Sequence, residues 1–275
     1  MSTYEKVRKT INRIFKRPKK VGIAFGGGNS RGAAHAGVLK VIVENKIPID
    51  YIAGTSSGAL IGALFAYGLN VYDLIHLAKN SDWLKTITRI KLFEGIWPVS
   101  NEGLEQFMLK HVGRKNIEDL RIPFCAVATD YMTGEKVLIE KGSLARAVHA
   151  SSAVPGLFTP VEHQGRLLMD GMIVDNVPAD VVRQMGADYV IAVDVVPNTV
   201  LNERPKNILQ VIERAIDIAS REQAKYFYKY ADLVISPVVE NIGPIDFGHG
   251  DNLVMEGENA TKKVLHKIKK EIGIK

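Results

Sequence analysis

Cysteine is nearly absent from this chain of 275 residues, and a single thiol, Cys125, excludes any disulfide within it. It lies in the apolar run 122–127, where a small buried hydrophobe and an intracellular setting are expected. Long hydrophobic runs are lacking too. The longest, 59–69, is too short to span a bilayer and contains two glycines. No apolar segment follows the charged N-terminus, so no secretory signal is expected. No pair among the seven histidines has metal-ligand spacing, and neither a metal nor a cofactor is expected. Linkers, internal repeats and low-complexity tracts do not interrupt the chain, which reads as one domain.

The positive charge is confined to the ends. The formal net charge is +6, yet residues 1–20 carry +7 and 255–275 carry +3, which leaves 21–254 at −4. With cations only at the termini and no recognition motif beside them, no nucleic-acid partner is expected. Ser2-Thr3-Tyr4-Glu5 reads as a capping box, and Tyr4, Val7, Ile11, Ile14 and Phe15 share one face of the helix that follows. A basic amphipathic helix of this kind can lie on an anionic membrane, or its stripe can cover the protein's own body or a second subunit. The expectation is a cytoplasmic protein, with this helix as the route to peripheral contact at the inner face of the membrane. Val264, Leu265, Ile268 and Ile272, set among lysines, read as the buried side of an ordinary surface helix.

Hydrophobic patterning predicts strands over 20–25, 50–53, 123–129, 136–140, 161–168, 189–195 and 232–236. Helices are predicted over 32–44, 57–67, 71–79, 101–110, 144–150, 179–185, 207–228 and 252–272. The alternation implies an α/β fold, a single domain with a central mixed, mostly parallel sheet between helices. Gln164-Gly165 reads as a hairpin turn, which makes part of the sheet antiparallel. The expected organisation is a terminal helix over 1–19, a body over 20–240, and a closing loop and helix of the same domain over 241–275. Position alone suggests a lid between Val71 and Lys110.

Two glycine turns carry the chemistry. Gly54-Thr55-Ser56-Ser57-Gly58 follows a strand, opens a helix and matches G-x-S-x-G, the turn that lifts a nucleophilic serine out of a sheet. The first strand runs into Gly26-Gly27-Gly28-Asn29-Ser30-Arg31-Gly32. Arginine at 31 breaks the dinucleotide pattern, and no G-K-[ST] closes a phosphate loop. Consecutive glycines at a helix start can instead converge their N–H groups on an oxyanion, with Arg31 adding positive charge. The base is open to several candidates. Asp130, Asp170 in Met169-Asp170-Gly171, and Asp175 all sit at turns, while His249 in a late glycine-rich loop would suit a Ser…Asp…His order.

Taken together, the glycine loop, Gly54–Gly58, Ala150-Ser151-Ser152-Ala153-Val154-Pro155-Gly156-Leu157-Phe158-Thr159-Pro160 and Asp170-Gly171-Met172 resemble the blocks of the bacterial patatin-like phospholipases. Thr129-Asp130 with Thr133-Gly134-Glu135 resembles a fifth block. The resemblance implies a fold similar to the catalytic domain of cytosolic phospholipase A2 and a Ser–Asp dyad without a catalytic histidine. Ser56 would be the nucleophile and Asp170 the base, with Gly27, Gly28 and Arg31 around the oxyanion. Met172 departs from the second glycine common in the family, which leaves the backbone path beside Asp170 open.

The function expected is hydrolysis of lipid esters, phospholipid or lysophospholipid, through a covalent acyl-enzyme. Two alternatives stand beside it. The same serine could pass the acyl group to an acceptor other than water, or the protein could be a membrane-associated lipid-binding or regulatory protein with little hydrolysis.

Overall fold

A computed structural model describes residues 18–80, 102–196, 204–205, 208–239, 242 and 247–274. Eight strands form one sheet: β1 (Val21–Phe25), β2 (Tyr51–Thr55), β3 (Phe124–Asp130), β4 (Lys136–Ile139), β5 (Val161–His163), β6 (Arg166–Asp170), β7 (Tyr189–Val193) and β8 (Leu233–Ile235). The helices are α1 (Ala33–Glu44), α2 (Ser57–Tyr67), α3 (Val71–Lys79), α4 (Glu102–Val112), α5 (Leu144–Ser151), α6 (Ala179–Gln184), α7 (Ile208–Phe227) and α8 (Gly250–Ile272). Strands β3, β2, β1, β7 and β8 are parallel neighbours, β4 and β6 pair antiparallel with β3, and β5 pairs antiparallel with β6. The mixed, mostly parallel sheet between helices expected from the sequence is therefore the observed fold.

Burial explains the strand composition. β1, β3 and β7 are buried at every residue, because helices cover both faces of the sheet, and their sequences read as nearly continuous apolar runs. One apolar layer gathers Ile23, Phe25, Leu39, Ile52, Leu64 and Ile191, while the other gathers Ala24, Ala53, Val127, Val181 and Ala192. Local signals set several ends. Asn70 caps α3 through Tyr72 N–H (2.8 Å), Ser143 caps α5 through Arg146 N–H (3.3 Å), and Gly68 ends α2 in the left-handed region (φ 110°). The expected hairpin joins β5 to β6, with Gln164 (φ 49°) and Gly165 (φ 76°) both left-handed. The predicted C-terminal surface helix is α8. It lies on α1 so closely that a Cβ at Gly257 would fall 2.0 Å from the Ala34 carbonyl oxygen.

One feature of the register positions the site. Ala126 and Val127 of β3 pair with both β2 and β4, so those two strands occupy opposite edges. Ala128 and Thr129 pair with β4 and with β6, so β6 takes the edge that β2 has just vacated. Strands β2 and β6 thus meet end to end along β3. Ser56 follows the last residue of one, and Asp170 is the last residue of the other. The N-terminal helix expected over 1–19 falls, apart from its last two residues, outside the described residues. So does much of the segment suggested as a lid.

Candidate active site

The Ser56 turn is strained. Ser56 caps α2 with φ 53° and ψ −122°, a conformation L-residues rarely adopt and one that costs about 1–3 kcal/mol. Its flanking glycines are required sterically. A Cβ at Gly54 would sit 2.6 Å from Ala59 N, and one at Gly58 would sit 2.3 Å from the Phe25 carbonyl oxygen. The turn is held from outside the motif by Ser151, whose Oγ accepts from Ser56 N–H (3.0 Å) and donates to the Val127 carbonyl (2.6 Å). Thr55 is held as well, its hydroxyl donating to the Asp175 carbonyl (2.8 Å).

Asp170 is completely buried. Its main chain is fixed by the Thr129 hydroxyl, which donates to its carbonyl (2.8 Å), and by its own N–H, which donates to Ala153 O (2.9 Å). Oδ1 accepts from Met172 N–H (2.9 Å), while Oδ2 makes no hydrogen bond of normal length. Burial pushes its pKa up to about 7. The nearby Ser56 hydroxyl and the Met172 N–H favour the charged form and pull in the opposite direction. The departure at Met172 leaves this arrangement intact, because only its main-chain N–H is used. Gly171 has no such latitude: a Cβ there would lie 2.3 Å from the Val127 carbonyl oxygen.

The glycine loop is anchored group by group. Gly26 N–H donates to Val193 O (2.9 Å), and Gly26 O is 2.7 Å from Nε2 of the buried His35. Burial holds the His35 pKa down to about 4, so the neutral ring donates to that carbonyl. Gly27 N–H donates to both the main-chain O (3.2 Å) and Oδ1 (3.1 Å) of Asn176, and Asn176 Nδ2 donates back to Gly27 O (3.4 Å). Gly28 O accepts from Arg31 N–H (3.1 Å) and Nε (3.2 Å). Among the described residues the Gly28 N–H has no hydrogen-bond partner. A buried donor left over in this way is uncommon and calls for a ligand.

These contacts revise the expected division of labour. The Gly27 N–H is already committed to Asn176. Arg31 is buried, and its Nη2 donates to both carboxylate oxygens of Asp217 on α7 (3.0 and 3.2 Å), so its charge is matched there. The Gly27 N–H and the Arg31 Nε and Nη2 thus help hold the loop in place. His249, the rival base, is exposed at the start of α8, where Gly250 abuts the end of α3, and no histidine is among the groups acting on Asp170. Asp130 is engaged by Arg166, which lowers its pKa, and also accepts from Met132 and Thr133 N–H. Ser151 lies within the Ala150–Pro160 motif. Asn176 carried only the signal of an Asx-Val-Pro turn, and Asp217 carried none.

A family model described as patatin-like phospholipase matches residues 23–183. The neuropathy target esterase sws of Drosophila melanogaster is 38% identical over 183 residues, 64% of this chain and 13% of that protein. Mouse patatin-like phospholipase domain-containing protein 6 is 36% identical over 183 residues, with the same coverage. An uncharacterized NTE family protein of Mycobacterium bovis is 36% identical over 181 residues, 63% of this chain and 48% of that one. The chain thus spans about an eighth of the first two relatives and about half of the third. The crystal structure of VipD from Legionella pneumophila shares the fold, with a TM-score of 0.56 at 15% identity over 91% of this chain and 67% of that one. Sequence blocks, sheet topology and the family match agree: this chain belongs to the patatin-like phospholipase family of lipid hydrolases.

Proposed function

We propose that the protein hydrolyses carboxylic esters of phospholipids or lysophospholipids by acyl transfer through Ser56, with Asp170 as the only base. The observation that carries this reading is the end-to-end meeting of β2 and β6, which brings a strained serine beside a buried carboxyl with one unpartnered oxygen. A base with a pKa near 7 is well matched to proton transfer at neutral pH. In the first step Asp170 takes the Ser56 proton as Oγ attacks the ester carbonyl carbon. The resulting oxyanion accepts from Gly28 N–H and from Ser57 N–H, a first-turn donor of α2 that no helical bond can use. The tetrahedral adduct collapses with loss of the alcohol, which takes the proton from Asp170. Water then attacks the acyl-enzyme, giving its proton to Asp170, which passes it to Ser56 Oγ as the adduct collapses and the fatty acid leaves.

Peripheral attachment through residues 1–19 is part of the same proposal, since the substrate resides in a lipid surface. Among the described residues, no helix is long and apolar enough to cross a membrane. Turnover of a medium-chain nitrophenyl ester by wild type, and its loss in Ser56→Ala, tests the enzyme reading. Equal activity in the two proteins overturns it.

A further inference from the structure

We infer that Asn176 is a positioning residue of the oxyanion loop, which fixes the Gly27 peptide so that the next N–H, that of Gly28, points at the reacting carbonyl. The inference rests on the hydrolase reading above and deepens it.

Asn176 meets Gly27 with three polar groups. Its main-chain carbonyl and its Oδ1 accept from the Gly27 N–H, and its Nδ2 donates to the Gly27 carbonyl. The residue has no exposed surface, and its own N–H donates to Gln223 Oε1 on α7 (3.3 Å). The Gly27 N–H belongs to the Gly26–Gly27 peptide and the Gly27 carbonyl to the Gly27–Gly28 peptide, so Asn176 holds the planes on both sides of the Gly27 Cα. It holds the second through its Nδ2 bond (3.4 Å), where glycine has no side chain of its own to restrict rotation. Space allows nothing larger at the contact, since a Cβ on Gly27 would lie 2.8 Å from Asn176 Oδ1 and 3.1 Å from Ser56 Cβ. Rotation of the Gly27–Gly28 peptide carries the Gly28 N–H with it, because that N–H belongs to the same plane. The clamp therefore sets the direction of the unpartnered Gly28 N–H.

Asn176 also ties the two halves of the site together. The turn that starts at Asp170 runs through Asp175, whose carbonyl holds Thr55 beside the nucleophile, and reaches Asn176 six residues after the base. Base, nucleophile turn and oxyanion loop are thereby anchored to one short segment. A donor aimed in advance needs no reorganisation when charge develops, and loss of such a donor lowers kcat about 10²–10³-fold.

The test compares wild type with Asn176→Ala on a soluble ester. The expected result is a fall in kcat of about a hundredfold, with KM within about twofold and the pH midpoint still near 7. Affinity for a trifluoromethyl ketone, which forms a tetrahedral oxyanion adduct on Ser56, is expected to fall by the same factor as kcat/KM. A kcat within threefold of wild type overturns the inference, whatever happens to Tm. So does a shifted pH midpoint, which would mean that Asn176 acts through Asp170. If Asn176→Ala does not fold, Asn176→Ser carries the test with an expected tenfold loss, and an unchanged kcat there overturns it. A wild type without Ser56-dependent turnover overturns the hydrolase reading and this inference with it. Ser56-dependent turnover that survives in the Asn176 variants removes the inference alone.

Discussion

Two carboxyl groups five residues apart, Asp170 and Asp175, share burial and an upward pKa shift, yet differ in what surrounds them. Both are without exposed surface, and burial raises the first to about 7 and the second to about 8. Around Asp175, Lys136 Nζ donates to its Oδ2 (2.9 Å) and to Asp180 Oδ2 (2.7 Å), and sits 4.8 Å from the centre of the Phe227 ring. Asp170 has no cation beside it, only the Ser56 hydroxyl and one main-chain N–H. A perturbed pKa therefore does not distinguish catalysis from architecture here. Each also keeps one oxygen without a hydrogen bond, Oδ2 of Asp170 and Oδ1 of Asp175, so the distinction lies in the neighbour, the Ser56 hydroxyl for one and the Lys136 ammonium for the other.

Breaking the Asp170 side of this comparison has the largest expected effect. Asp170→Asn removes the base but keeps the shape, and kcat on a nitrophenyl ester is expected to fall by about 10⁴-fold. The same variant is expected to be more stable than wild type at pH 8. A carboxyl whose folded pKa is near 7, against 3.8 in the open chain, contributes stability that is fully present below 3.8. That contribution declines as the pH rises and is gone above about 7, whereas the asparagine has none to lose. Urea denaturation at pH 5 and pH 8 reads the difference directly.

Breaking the Asp175 side should unfold rather than disarm. Lys136→Met leaves two buried carboxyl groups facing each other without their cation, at an expected cost of about 3–5 kcal/mol in urea denaturation. Adding Asp175→Asn and Asp180→Asn to Lys136→Met is expected to restore most of that loss. If Lys136→Met instead keeps its stability and loses activity in proportion to Asp170→Asn, the two carboxyl groups are not functionally distinct.

A pH profile sharpens the contrast without mutation. Log kcat/KM is expected to rise with pH up to a plateau, with one midpoint near 7, since only the ionised Asp170 can take the Ser56 proton. A second ascending limb near 8 would bring Asp175 into the chemistry. The smallest effect is expected from His249→Ala, with kcat within twofold of wild type, because the exposed ring has no role in the proposed mechanism.

The helices and strands were legible because they rest on short-range signals. Apolar runs of strand length, the left-handed Gln164-Gly165 turn and the capping Asn70 and Ser143 act within a few residues. Ser56 was legible for the same reason, since its turn needs glycines two positions away on either side. The partners of those groups were not. Ser56 meets Ser151 across 95 positions, Gly27 meets Asn176 across 149, and Arg31 meets Asp217 across 186. Arg31 shows the consequence. Beside a glycine loop its charge reads as an oxyanion partner, and only α7 packed across the loop reveals the carboxylate that already holds it.

The sequence by itself determined the strand–turn–helix that strains Ser56, the glycine loop and the carboxyl at the end of a strand, because each is a local backbone requirement. Tertiary structure alone decided which carboxyl faces the serine and which donor in the loop stays free. Both depend on β6 entering the edge of β3 that β2 leaves, and on hydrogen bonds between segments that the chain brings together only once it has folded.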